Sequence, residues 1–198
     1  MITPPRILIA CVGNIFLGDD AFGVEVARKL AGRSLPPSVR VIDFGIRGLD
    51  LTYALLDGYD VAILVDAAPR GDAPGTLSII EPDPIDVSSL PAADVSAGDL
   101  LIETHGMHPA KVLRLVAAMG GKLRHILVVA CEPTPYPEVD MQMELSPPVE
   151  AAVGEAVLLL EDLVAKIIAG RYEPFLDSNS QSNLLKGEVD HGHSLSTL

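Results

Sequence analysis

Hydrophobic positions along the chain follow two rhythms. Four runs of consecutive aliphatic residues, RILIACV (6–12), VRVIDFG (39–45), DVAILVDAA (60–68) and RHILVVACEP (124–133), read as strands. Unbroken apolar runs of this kind belong to parallel sheets covered on both faces. Between them the spacing turns helical. In DDAFGVEVARKLAG (19–32), Ala21, Val24, Ala27 and Leu30 can share an inward face, with Asp19 placed as N-cap and Gly32 as the stop. GLDLTYALLDG (48–58) predicts a short helix, and HPAKVLRLVAAMG (108–120) one with Pro109 in its first turn. VEAAVGEAVLLLEDLVAKIIAG (149–170) predicts a long last helix. APGTLSII (73–80) reads as a turn and an edge strand, because the prolines on either side limit pairing.

Two stretches break these rhythms. Residues 81–104 are rich in Pro, Asp and Ser, and a long irregular segment inside a compact domain is often functional. From about Tyr172 the chain turns polar, which predicts one α/β domain over 1–172 and a disordered tail over 173–198. The alternation of strands and helices predicts a doubly wound, three-layer α/β sandwich around a mainly parallel, twisted sheet. Such sheets bind ligands beyond the carboxyl ends of their strands, where the strand order switches. In a flavodoxin-like order that crevice lies between the first and third strands, next to Gly13–Asp20 and Asp66.

Composition narrows the class. A net charge of −13 argues against nonspecific nucleic-acid binding, which needs cations to neutralise phosphates. The two cysteines, Cys11 and Cys131, fit no metal-ligand spacing and read as buried free thiols. No signal peptide and no apolar run of transmembrane length is visible, so a cytoplasmic protein away from membranes is expected.

The first loop holds the main puzzle. GNIFLGDD (13–20) joins a strand to a helix where many folds cradle a phosphate, yet it is not GxGxxG and it ends in two acids that would repel one. One of Asp19 and Asp20 can cap the helix, which leaves the other at the mouth of the crevice. Asp66 ends a buried run, where an unpaired carboxylate is costly. It is either hydrogen-bonded to a neighbouring loop, a metal ligand or an acid/base group. His105, in ETHGMHP, closes the irregular stretch and should project over the same strand edge, with His108 three residues on. His125, His191 and His193 read as surface residues. Two carboxylates and an imidazole from three segments can form a metal site, so the loop is arranged for a cation and not an anion. No GxSxG elbow and no HExxH helix is present.

GNIFLGDDAFG resembles the N-terminal signature of the hydrogenase maturation proteases, endopeptidases that serve [NiFe] hydrogenases. AILVDA, APGTLSII, THGMHPAKVLRL, VVACEP and ELSPPVEAAVGEAV follow in the family's order, from about residue 6 to 168. The resemblance implies removal of a C-terminal extension from a hydrogenase large-subunit precursor once nickel is inserted. It implies that the metal-contacting residues are Asp20, Asp66 and His105. The first is commonly Glu in the family and is Asp here, and Ala21 stands where many members have Gly.

On this resemblance nickel, presented by the substrate, is both the recognition signal and an electrophile. No organic cofactor is expected, and the chain is expected to act as a monomer. Asp20 or Asp66 could otherwise serve as a base. Segment 81–104 and loop 132–146 are candidates for gripping the precursor's tail. Two other classes remain open: a flavodoxin-like binding module for a flavin or nucleotide, and a non-catalytic hydrogenase assembly chaperone. The first would want a loop without acids and an aromatic stacking partner, whereas the chain has no Trp and four Tyr. The second would have no need to keep all three ligand-type side chains.

Overall fold

The computed structural model describes residues 3–82, 109–121, 125–135 and 143–172. Five strands form one sheet: β1 (Ile7–Val12), β2 (Val39–Gly45), β3 (Val61–Ala67), β4 (Leu77–Ile80) and β5 (His125–Cys131), in the order β2-β1-β3-β5-β4. β1 pairs in parallel with β2 and β3, and β3 in parallel with β5. β4 is the antiparallel edge. β1 is buried along its whole length, as its unbroken aliphatic run predicts. The expected edge strand is half-buried throughout.

Among the described residues four helices cover the sheet: α1 (Phe22–Leu30), α2 (Gly48–Leu56), α3 (Pro109–Ala118) and α4 (Pro147–Ile168). Successive side chains of a strand face opposite sides, and this divides the interior in two. Ile7, Ile9, Ile63 and Val65 pack with Phe22 and Val26 of α1 and Val153 and Leu160 of α4. Leu8, Ala10, Ala62 and Leu64 pack with Leu51 and Leu55 of α2 and Leu113 and Val116 of α3. The result is the expected doubly wound sandwich with its mainly parallel sheet. Cys11 and Cys131 are buried free thiols, both pushed up to about 12 by burial and by nearby carboxylates. No helix among the described residues is long and apolar enough to cross a membrane.

Two helix starts differ from the sequence expectation. Residues 18–21 form a tight 3₁₀ turn, so α1 begins only at Phe22, and no side chain caps it. α4 begins at Pro147 rather than 149. Its first two residues are prolines, whose fixed φ suits a first helical turn and whose missing N–H groups would find no partner there.

One glycine sets how α1 meets the sheet. A Cβ on Gly23 would lie 2.1 Å from the Val12 carbonyl oxygen and 2.5 Å from that of Val65. The backbone of α1 therefore rests directly on the carboxyl ends of β1 and β3. This contact holds the turn before α1 over the crevice between those two strands.

Candidate active site

The turn between β1 and α1 is closed by its own backbone. Asn14 N–H donates to both the carbonyl and the carboxylate of Asp20, at 3.1 and 2.9 Å. Gly13, at φ +149°, leaves room for this closure, since a Cβ there would sit 2.0 Å from the Asp20 carbonyl oxygen. Asn14 Oδ1 also accepts from the Phe16 N–H at 3.0 Å. Asp20 is thereby fixed at the strand edge, half-buried, and its carboxyl is raised above the usual range by burial, opposed by the Asn14 hydrogen bond.

Asp66 occupies the carboxyl end of β3, opposite Ala130 of β5. It follows Ala62 and Leu64 on the face that carries α2 and α3. It is 7 % exposed. Its carboxyl is pushed up to about 7, first by burial and then by the Asp20 charge, while the Ala67 N–H pulls it back. The structure thus brings these two predicted site residues into one electrostatic unit. The Asp20 charge thus adds to burial in disfavouring the ionised form of Asp66. His105, the third predicted residue, and His108 lie outside the described residues, as do the tail from 173, residues 83–104 of segment 81–104 and residues 136–142 of loop 132–146. Among the described residues no group of three His, Cys, Asp or Glu side chains is placed to hold a metal.

Asp19 is not the expected cap. Its carboxylate accepts from Thr134 N–H at 2.8 Å, Ser146 N–H at 2.6 Å and Ser146 Oγ at 2.8 Å. Thr134 and Ser146 also join through their hydroxyls at 2.8 Å. The physical reason is that Asp19 lies inside the 3₁₀ turn and so faces the chain crossing beside it instead of the N–H groups of α1. It ties together the two ends of the segment that follows β5 and precedes α4.

Glu132, which the sequence reading placed only within the candidate loop 132–146, also lines a cleft at the site. Its carboxylate accepts from Arg70 N–H at 2.6 Å and Gly71 N–H at 3.3 Å. Burial pushes its carboxyl up, but the backbone N–H groups of Arg70, Gly71 and Asp72 prevail and hold it below the usual range. The signal was available, because Glu132 follows a buried strand much as Asp66 ends one. That cleft opens between these elements and measures about 560 Å³. Leu17, Asp19, Asp20, Ala67, Glu132 and Thr134 are among the residues that line it.

The comparisons with known proteins bear on the family and the fold. A family model described as HycI, hydrogenase maturation protease, matches residues 24–163. Asp66 and His105 fall within that stretch, and Asp20 just before it. A hydrogenase expression/formation protein HupD of Bradyrhizobium diazoefficiens is 26 % identical over 95 % of this chain and 93 % of its own. A putative hydrogenase maturation protease of Methanocaldococcus jannaschii is 31 % identical over 78 % of this chain and 93 % of its own. The solved hydrogenase maturating endopeptidase HybD from E. coli superposes with a TM-score of 0.62 at 28 % identity, covering 81 % of this chain and 93 % of that one. A hydrogenase 2 maturation peptidase from Thaumarchaeota archaeon SCGC_AB-539-E09 gives 0.57 at 30 % identity, over 81 % and 98 %. With a family model covering well over half its length and an α/β fold shared with solved endopeptidases, the chain belongs to the hydrogenase maturation proteases.

Proposed function

We propose that this endopeptidase removes the C-terminal extension of a [NiFe] hydrogenase large-subunit precursor, and that nickel already bound in the precursor is what it recognises. The observation that carries the reading is that Asp20 lines an open cleft while its charge acts on the buried carboxyl of Asp66. An arriving divalent cation would relieve the repulsion between the two carboxylates. Oxygen ligands of this kind leave coordination positions for the precursor's own donors, and without thiolates they do not make a closed structural zinc site.

His105 is the proposed third contact. It precedes α3 by four residues. The end of α3 leads into the start of β5, so the beginning of α3 belongs at the carboxyl edge of the parallel strands. That connectivity, with the position of Asp66 on the α2/α3 face, supports the assignment.

In this reading the metal belongs to the substrate. It polarises the scissile carbonyl or lowers the pKa of a water bound to it. Asp20 and Asp66 fix the metal, and through it the bond to be cut. Asp19 and Glu132 hold the lining of the cleft in place around the extended tail.

The test follows the size shift of the purified nickel-loaded precursor with the wild-type chain and with Asp66→Asn. The wild type should convert it fully and Asp66→Asn should leave it uncut while folding normally. Full conversion by Asp66→Asn would remove Asp66 from the site and with it this reading of the pair.

A further inference from the structure

Among the described residues nine large hydrophobic side chains are exposed, and six of them belong to two neighbouring places: Ile15, Phe16 and Leu17 in the β1–α1 turn, and Ile46, Leu49 and Tyr53 at the start of α2. The two places adjoin because β1 and β2 are paired, and the chain beyond them stays joined where Gly13 N–H donates to the Gly45 carbonyl at 3.1 Å. Leu49 and Tyr53 lie four residues apart on one helix and so share a face. Phe16, Ile46, Leu49 and Tyr53 are 50 %, 53 %, 51 % and 56 % exposed. Soluble proteins rarely leave apolar side chains so concentrated without a use for them.

The exposure is built into the turn. Phe16 N–H is held by Asn14 Oδ1, Leu17 N–H by the Asn14 carbonyl at 3.1 Å and Asp20 N–H by the Leu17 carbonyl at 3.1 Å. The backbone is satisfied internally while its three apolar side chains point outward. An aromatic presented on a fixed turn loses little freedom when it is covered. The Arg47–Asp50 pair, at 3.8 Å, supplies a polar rim.

We infer that this surface is the docking site for an apolar segment of the precursor polypeptide next to the bond that is cut, with Phe16 as its anchor. The inference rests on the proteolytic reading of the cleft. What favours this occupant is continuity: Leu17 belongs to the patch and also lines the cleft, and Phe16 is joined to Asp20 by a single closed turn. A chain lying across Phe16 and Leu17 enters the cleft beside Asp20. The patch then sets which precursor is accepted, and the carboxylates set when it is cut.

The experiment uses the full-length chain and the nickel-loaded precursor, with Phe16→Ser, Tyr53→Ser and the conservative Phe16→Leu. Cleavage gives KM and kcat. Precursor binding is measured separately in an Asp66→Asn background, and size-exclusion chromatography follows self-association. Phe16→Ser and Tyr53→Ser should each raise KM and Kd about tenfold or more, with kcat within about twofold of wild type and Phe16→Leu close to wild type. Unchanged Kd and KM in both serine variants overturns the inference while leaving proteolysis standing. So does a wild-type dimer that these variants dissolve without any change in KM. If the wild type binds the precursor through Phe16 but never cuts it, the docking surface stands and the proteolytic reading falls. If it neither binds nor cuts, both fall.

Discussion

Asp20, in the turn after β1, and Asp66, at the end of β3, are held so that the charge on the first opposes ionisation of the second. Neither carboxylate has a cationic partner in the described contacts, and burial raises both. The fold therefore keeps two acids in surroundings that disfavour their charged forms. The energy comes from packing elsewhere, chiefly the two aliphatic layers around β1 and β3.

This pair predicts how stability varies with pH. Asp66 titrates at about 7 in the folded chain, against about 3.9 for an unfolded Asp. Between these values the folded state holds a proton that the unfolded state has lost, so stability falls as pH rises. The stabilisation is fully present below about pH 4 and is gone above about pH 7, a change on the order of a few kcal/mol. Asp66→Asn should remove this slope. Its urea midpoint should match the wild type at pH 4 and exceed it at pH 8, even though it processes no precursor. Parallel curves for the two proteins at both pH values would contradict the burial argument.

Asp19 should behave differently from its neighbour. Its carboxylate accepts three hydrogen bonds from Thr134 and Ser146. Hydrogen bonds to charged groups contribute about 1.5–3 kcal/mol each. Asp19→Ala should cost on the order of 3 kcal/mol or more, well above the ~1 kcal/mol of a lost helix cap. Proteolytic nicking within residues 135–145 should become faster, because both ends of that segment lose their tie. A loss near 1 kcal/mol without new nicking would restore the simple capping role.

Gly23→Ala tests the seat of α1. The added methyl meets two carbonyl oxygens of the backbone, at 2.1 and 2.5 Å. Overpacking of this kind costs about 1–3 kcal/mol, roughly a 2–12 °C fall in Tm for a domain of this size. Processing should fall further than stability alone explains, because the turn that holds Asp20 shifts with the helix. An unchanged Tm would show that α1 does not need this close approach.

The sequence made the fold legible and the site only partly so. Aliphatic runs such as ILIACV and VAILVDA have few alternatives to strands buried on both faces, and their alternation with helices predicts the sandwich. The crevice between β1 and β3 follows, and with it Asp20 and Asp66. Asp19 was misread because an acid before a helix satisfies a local rule, whereas its actual partners lie 115 and 127 residues away. No local pattern announces such a contact. Glu132 was not singled out for a different reason: its place just after a buried strand was visible, but its partners are backbone N–H groups, which residue identity does not reveal.

The histidines separate by position. In the sequence His105 precedes Gly106, whereas His108 directly precedes the first residue of α3. His105→Ala should abolish processing, and His108→Ala should retain most of it in the same assay. The reverse outcome would shift the proposed ligand by three residues.

The most direct measurement compares two preparations of one precursor, made in cells supplied with nickel and in cells deprived of it. Each is mixed with the purified chain, and the loss of the C-terminal extension is followed by mass. If Asp20 and Asp66 serve to receive a cation carried by the substrate, the nickel-loaded precursor is trimmed and the nickel-free one stays intact. Trimming of the nickel-free precursor at a comparable rate would contradict that account.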